Sequence, residues 1–356
     1  MAEYTLTTAD SICPIIVEPG LITRLGKYLS ELLPKAKAIA ILSDETVANY
    51  YLAPVKTSLE DAGLLCYPII VADGETSKSL AVAEEVYTCL SQSGLSKTDA
   101  ILSLGGGVVG DLSGFVASTY LRGIPCIQVP TSLTAQVDAA IGGKTALNLP
   151  TAKNSIGTIT QPVAVLIDPS VLITLSDRDL YEGMGEVVKY GLLADTDLFD
   201  RLLRFSQTNT NARDFILSTS DILISKSIAI KTAIVSKDEQ DTGLRHLLNF
   251  GHTYGHAYEI ISKGGLRHGE AVGLGILAIL RLSEREGWLD DRSLYGKTKK
   301  ILEKLHLPTH IKSDPDACYQ AICHDKKRSG DTISLAIISN IGCARVIEVG
   351  LETLKQ

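Results

Sequence analysis

Through about residue 175 the chain repeats one pattern: a short β-branched apolar run, a turn, then an amphipathic segment. Few folds accept that alternation. Parallel strands need crossovers of about a dozen residues or more, and a helix is the usual crossover. The runs Ala38–Leu42, Cys66–Val71, Ala100–Leu104, Pro125–Val129 and Ala164–Ile167 read as strands, with helices such as Ser79–Ser93 between them. From Asp177 the period becomes helical, in Leu180–Ala194, Ser220–Ser236, Phe250–Ser262 and Glu270–Glu286, and one late hairpin pairs Thr332–Ile338 with Arg345–Val349. The expected architecture is an α/β N-terminal domain with a mainly parallel sheet, residues 1–175, followed by a mostly α-helical domain, residues 176–356. There is no internal repeat or long linker.

Composition narrows the possible partners. The 356 residues include 41 acidic and 34 basic side chains, a formal net charge of −7. That lacks the diffuse positive field a non-specific nucleic-acid binder needs, so nucleic acid is not expected as a partner. The seven cysteines are scattered and never spaced as Cys-x-x-Cys, which argues against a disulfide framework or thiolate zinc site. The first ten residues carry acids where a signal peptide carries cations, and no apolar run reaches about 18 residues. The expected setting is a reducing cytoplasm, with no membrane contact.

The strand ending at Leu104 runs into Gly105-Gly-Gly-Val-Val-Gly-Asp-Leu-Ser-Gly114, in which Gly105, Gly107 and Gly110 satisfy Gly-x-Gly-x-x-Gly. Backbone N–H groups at such a helix start can face a pyrophosphate. The plainer alternative is a tight turn that needs positive φ. Context favours a nucleotide: Asp44 follows the first of these strands, where it could bind ribose hydroxyls, and Glu75 with Lys78 follows the second. The glycines are not on that first strand, so the ordinary Rossmann order, with its acid about 20 residues after the glycines, does not apply.

His252 and His256 stand four apart at the start of a helix, which puts both imidazoles on one face. Thr253 occupies the place of the glutamate that a zinc protease needs as its base, so that reading fails. His268 follows ahead of another helix, and Glu186 lies in the helical run Glu182–Tyr190. Taken singly, each histidine reads as a surface or hydrogen-bonded core residue. Three of seven histidines within 17 positions, each beside glycine, favour a metal held by two imidazoles and a carboxylate with an open position.

A dispersed set of cations comprises Arg122, Lys144, Lys153, Lys189, Lys231, Arg245 and Lys326 or Lys327. One lysine alone reads as a solvated side chain. Several of these, however, sit in glycine-bearing stretches, Asp138–Thr145 and Ala152–Gly157, where backbone can approach a ligand closely. Gly142-Gly-Lys-Thr145 is like the end of a P-loop, yet no glycine stands between Gly123 and Gly142 where that motif needs one. What remains is a cation set able to grip a ligand with both carboxylate and phosphate.

Gly105–Gly114, Asp138–Thr145, Lys153-Asn154, Asn249–His256 and His268-Gly-Glu-Ala-Val272, taken in order, resemble the 3-dehydroquinate synthase family, from about Asp44 to Lys327. Glycerol and iron-type alcohol dehydrogenases and 2-deoxy-scyllo-inosose synthases share that fold but differ at Gly-Gly-Lys-Thr. The resemblance implies a homodimeric cyclase with its active site in a cleft between the two domains. It converts 3-deoxy-D-arabino-heptulosonate 7-phosphate to 3-dehydroquinate and phosphate through transient oxidation by NAD, phosphate elimination, reduction and aldol closure. It implies NAD at a Rossmann-like site on Asp44, Glu75, Lys78, Gly105, Gly106, Gly107, Asp111, Thr131, Ser132, Lys153 and Thr174, and zinc or cobalt on Glu186, His252 and His268. Asp138, Lys144 and His256 would be catalytic, with Asp241 in a place where the family often has glutamate, and Glu239 as the fallback. Substrate would meet Asn154, Lys189, Lys231, Arg245, Asn249 and one of Lys326 and Lys327, with Arg122 supplied by the neighbouring subunit. Ala146 replaces a common glycine and removes no functional group.

Overall fold

The computed structural model describes residues 1–312, 314–323 and 328–355. Lys326 and Lys327 therefore lie outside the described residues. Two compact units divide the chain, Met1–Thr174 and Leu175–Gln356.

The first unit is built on a seven-stranded sheet in the order β1-β2-β9-β6-β5-β3-β4. Its strands are β1 (Ala2–Thr7), β2 (Ile12–Val17), β3 (Ala38–Asp44), β4 (Leu65–Val71), β5 (Ala100–Gly105), β6 (Cys126–Pro130) and β9 (Ala164–Ile167). All neighbours pair in parallel except β1 with β2. The five strands expected from periodicity are present, but the edge hairpin β1–β2 was missed. It lies in the segment whose charges were weighed only against a signal peptide. A second small hairpin, β7 (Leu147–Leu149) with β8 (Ala152–Ile156), was also missed, being too short for alternation to register.

Helices α1 (Leu25–Leu32), α2 (Glu45–Asp61), α3 (Leu80–Gln92) and α4 (Gly107–Thr119) complete this unit. Both sheet faces are covered, which is why the strands read as continuous apolar runs rather than alternating ones. Along β3, Ile39 and Ile41 join one core with Leu25, Leu29, Leu59 and Leu102. Ala40 and Leu42 join the other, with Val86, Leu90, Leu112 and Val116.

The chain goes from β3 to β4 on one side, then returns to place β5 on the other side of β3. In an open parallel sheet, ligands bind beyond the carboxyl ends at such a reversal. The carboxyl ends of four adjacent strands β4, β3, β5 and β6 carry Glu75 and Lys78, Asp44, Gly105–Gly107, and Thr131 with Ser132. The strand order explains why the glycine turn and the acid fall on different strands.

The second unit contains α5 (Asp177–Glu182), α6 (Met184–Ala194), α7 (Thr196–Ser206), α8 (Ala212–Val235), α9 (His252–Ile261), α10 (His268–Arg285), α11 (Ser293–Lys304), α12 (Pro315–Cys323) and a small sheet of β10 (Arg328–Ser329), β11 (Thr332–Asn340) and β12 (Cys343–Gly350). The single helix expected over Leu180–Ala194 is two, interrupted at Gly183, and α8 begins eight residues before Ser220. Among the described residues no helix is long and apolar enough to cross a membrane.

Candidate active site

Glycine lets four helices of the second unit, α5, α6, α9 and α10, touch backbone to backbone. A Cβ on Gly185 of α6 would lie 2.2 Å from the carbonyl oxygen of Gly269, and one on Gly269 would lie 1.7 Å from that of Glu182. A Cβ on Gly275 of α10 would lie 1.9 Å from the Gly251 carbonyl oxygen. Gly251 itself caps α9 at φ 80°, a left-handed conformation that side chains resist. These contacts pull Glu186, His252 and His268 together, since each stands beside one of the glycines. The glycines noted next to the histidines are thus the packing surfaces that assemble the cluster.

One acceptor atom from each of Glu186, His252 and His268 lies within 4.8 Å of the others. Glu186 Oε1 is 3.4 Å from His252 Nε2 and 3.0 Å from His268 Nε2. The outer ring nitrogens determine what the inner ones offer. His252 Nδ1 donates to the Phe250 carbonyl at 3.2 Å, and His268 Nδ1 donates to Glu259 Oε1 at 3.2 Å. With Nδ1–H committed outward, each ring in its neutral form would offer an Nε2 lone pair inward, beside a carboxylate oxygen. Three lone-pair atoms then converge where the Glu186 side chain is fully buried, an arrangement that a divalent cation satisfies. His268 is 37% exposed, against 10% for His252 and 0% for Glu186, and forms the open side.

The titration directions show how strongly the Glu186 charge draws positive charge to this point. Burial alone would raise the Glu186 carboxyl, but the charges of Lys189 and His252 and hydrogen bonds from both histidines hold it well below the carboxylate range. Burial pulls His252 down, while His268 is pushed well above the usual imidazole value because hydrogen bonds to Glu186 and Glu259 outweigh its burial. A positive charge is therefore favoured where the metal is expected. Lys189, expected to touch substrate, is 1% exposed with its ammonium against Glu186 Oε2.

His256 lies one turn along α9, its ring centroid 5.5 Å from that of His252 and 6.1 Å from that of His268. With Glu259 and His268 it forms a second trio whose ligand atoms are also within 4.8 Å. The sequence reading missed Glu259, though its signal was visible: positions 252, 256 and 259 follow the i, i+4, i+7 spacing of one helical face. Asp241 belongs to neither trio. It lies at φ 59°, and its carbonyl accepts a hydrogen bond from His246 Nε2 at 2.9 Å.

Asp238 was also missed. Its carboxylate accepts from the backbone N–H groups of Thr242, Gly243 and Arg245 at 3.0, 2.8 and 2.9 Å, fixing the turn that carries Arg245. Burial opposes that charge, yet these hydrogen bonds lower its pKa to about 2. Arg245 Nη1 then donates to the Glu239 carbonyl at 2.7 Å. Arg245 and Lys231 are buried, at 3% and 5% exposure, so the solvated-side-chain reading fails for them. Asn249 ends the short helical turn Leu244–Asn249.

In the first unit none of Gly105, Gly106 and Gly107 has positive φ, so the tight-turn alternative is not why glycine stands there. Close approach is. A Cβ on Gly105 would lie 2.6 Å from Val109 Cβ, and one on Gly110 would lie 3.2 Å from Gln128 Oε1. Gly106 caps α4 without a side-chain acceptor, which leaves first-turn N–H groups to be satisfied by an incoming group. Lys78 is 5% exposed, with its ammonium against Asp111 and 4.0 Å from Glu75. Thr131 N donates to the Gly105 carbonyl at 3.0 Å, and Ser132 Oγ accepts from Ala135 N at 3.3 Å.

Two of the expected nucleotide contacts have structural duties. Asp44 accepts from Val47 N at 2.8 Å and caps α2, and burial raises its carboxyl. The Thr174 hydroxyl meets Tyr51 OH at 2.8 Å. Asp138 lies in a single π-helical turn, Ala135–Ala139, a distortion common at functional sites. Lys144 follows Gly142 (φ 95°) and Gly143 (φ 70°) and is exposed, as are Lys153 and Asn154 on β8. Asn148, also missed, ties these groups together: its Nδ2 donates to Glu75 Oε1 at 2.7 Å, its Oδ1 accepts from Asn154 N at 2.8 Å, and its own N–H donates to the Lys78 carbonyl at 2.8 Å.

A nucleotide-type sheet crevice in one unit and a Glu-His-His cluster in the other define a class of enzymes that depend on a nucleotide cofactor and a metal. Residues 68–182 match the 3-dehydroquinate synthase N-terminal family and residues 183–328 the 3-dehydroquinate synthase C-terminal family. The 3-dehydroquinate synthases of Streptococcus gordonii and Streptococcus mutans are 44% and 45% identical, each aligned over 96% of this chain and 95% of the relative. Among solved structures, a 2-epi-5-epi-valiolone synthase from Streptomyces hygroscopicus with NAD+ and Zn2+ bound is 25% identical, at a TM-score of 0.86 over 98% of this chain and 96% of that one. A probable glycerol dehydrogenase from Sinorhizobium meliloti, 18% identical with a TM-score of 0.62 over 96% of this chain and 94% of its own, shares the fold. The chain belongs to the 3-dehydroquinate synthase family.

Proposed function

We propose that the residues described above carry the family's reaction, in which 3-deoxy-D-arabino-heptulosonate 7-phosphate becomes 3-dehydroquinate and phosphate with NAD and a divalent metal as cofactors. Convergence of Glu186, His252 and His268 on one point carries this reading. These three would hold the metal, and Asp44, Glu75, Lys78, Gly105–Gly107, Asp111, Thr131, Ser132, Lys153 and Thr174 would hold the NAD. When bound, NAD takes up and returns a hydride, and the metal adds Lewis acidity at the substrate hydroxyls, lowering their pKa.

The chain's own groups do the rest. Buried Lys231 and Arg245 pair with the substrate's carboxylate and phosphate, where exclusion of water makes each charge-assisted bond stronger. Asp238 holds the backbone of the Arg245 turn, so the guanidinium is placed before substrate arrives. Lys189 offsets the Glu186 charge from the buried side. Asp138, Lys144, Asn154 and Asn249 orient the polyol, and His256 holds or passes a proton beside the His252–His268 pair. Once the substrate's hydroxyl is a ketone, its neighbouring C–H is acidic, and a modest base suffices to expel phosphate. The role of Asp241 is the weakest fit, because it stands outside both trios.

Arg122 is the contact made across a homodimer. Leu121, Arg122 and Gly123 have φ of 49°, 65° and 112°, a run of left-handed backbone that costs energy and leaves Arg122 exposed. The free cysteines suit a cytoplasmic setting.

Phosphate release from the heptulosonate phosphate tests the function. Release that requires NAD, stops on chelation, returns with zinc or cobalt, and accumulates no reduced nicotinamide is the expected result. Steady accumulation of reduced nicotinamide without phosphate would identify a polyol dehydrogenase instead.

A further inference from the structure

Glu259 is outside the metal trio and outside every residue set considered for substrate or nucleotide. It is the third member of the α9 face that starts with His252 and His256, and its side chain is 15% exposed. Its Oε1 accepts from His268 Nδ1 at 3.2 Å, while His268 Nε2 faces Glu186 Oε1 at 3.0 Å. The two rings of the trio are therefore oriented differently. His252 is 10% exposed and gives its outer N–H to a carbonyl of its own chain segment, Phe250, two residues away. His268 is 37% exposed, on the first residue of α10, and the partner that fixes it comes from another helix. A ring that open would rotate and exchange tautomers without an outer acceptor, because Nδ1–H and Nε2–H forms of a neutral imidazole are close in energy.

Resting on the metal reading of the trio, we propose that Glu259 is a positioning residue for the metal centre. By accepting the Nδ1 proton of His268, it locks that ring with its Nε2 lone pair inward and makes the nitrogen a stronger donor to a divalent cation. Packing of α9 against α10 through Gly255, whose Cβ would lie 3.1 Å from the Ala271 carbonyl oxygen, holds Glu259 within reach. A carboxylate behind a ligating imidazole raises metal affinity, and its loss typically weakens binding by about 10–100-fold.

The test loads metal-free full-length protein with Co2+ and reads affinity by competition against a chromophoric chelator, together with the visible absorption of the bound ion. Glu259→Ala should weaken Co2+ binding by about 10–100-fold and alter the absorption bands. Glu259→Gln keeps an acceptor oxygen and should recover most of the affinity. Unchanged melting of the metal-free variants separates this from a folding defect. Wild-type affinity and spectrum in Glu259→Ala would overturn the positioning role while leaving the metal site intact. Two ions per wild-type chain, of which Glu259→Ala loses only one, would make Glu259 a ligand and overturn it too. No Co2+ binding by the wild type would instead overturn the metal reading itself.

Discussion

Single residues here act mostly through the groups they hold. Asp238 is the clearest case: its carboxyl is ionised down to a pKa of about 2, against 3.8 for the ordinary side chain. A depressed carboxyl stabilises the fold fully above its unfolded pKa and loses that contribution as pH falls through the folded one. Asp238→Asn should therefore melt below the wild type at neutral pH, with the gap closing between about pH 4 and pH 2 in thermal scans. Asp238→Ala should also raise the substrate KM, since three backbone donors next to Arg245 lose their acceptor. Asn148 makes a different prediction. Asn148→Asp keeps the oxygen that receives Asn154 N but loses the donor to Glu75 and adds a like charge, so NAD affinity should fall more than affinity for the sugar phosphate. Equal loss of both, read by fluorescence titration and steady-state kinetics, would count against that division.

At the scale of elements, the metal trio depends on helices packed closer than side chains allow. Gly185→Ala or Gly269→Ala would set a methyl 2.2 or 1.7 Å from a backbone carbonyl oxygen, and the helices must part. Overpacking of this kind costs about 1–3 kcal/mol, more when only backbone can yield. Each variant should lose stability of that order in urea melts and bind Co2+ more weakly, although neither position is a ligand. A variant that loses stability yet binds Co2+ normally would show that the trio tolerates a wider helix spacing. By contrast, Gly296 and Gly350 have nothing within 4 Å of an added Cβ, and alanine there should leave metal affinity unchanged.

For the whole molecule, the residues assigned to nucleotide and to metal fall in different compact units, Met1–Thr174 and Leu175–Gln356. Each unit has its own buried core. Because no residue assigned to NAD belongs to the metal trio, removing the metal should abolish phosphate release but leave NAD affinity within about twofold. NAD titrated against the chelated protein measures this directly, and a large loss of NAD affinity would mean that the nucleotide site is completed by the metal.

Much of this was legible along the chain because it depends on local spacing. Apolar runs of strand length gave β3, β4, β5, β6 and β9, the helical period gave α9 and α10, and three histidines each beside glycine pointed to a metal. Edge and miniature strands such as β1, β2, β7 and β8 escaped because their pairing, not their pattern, makes them strands. Residue type and interval alone established an α/β half, a helical half and a set of metal-competent side chains. Only the tertiary structure decided that Glu186 meets His268 from 82 positions away, that Lys189, Lys231 and Arg245 are buried while Lys144 and Lys153 are exposed, and that Glu259, Asp238 and Asn148 hydrogen-bond to His268, to the Arg245 backbone and to Asn154. Those outcomes depend on which backbones touch, and such long-range contacts leave no periodic trace in the residues that make them.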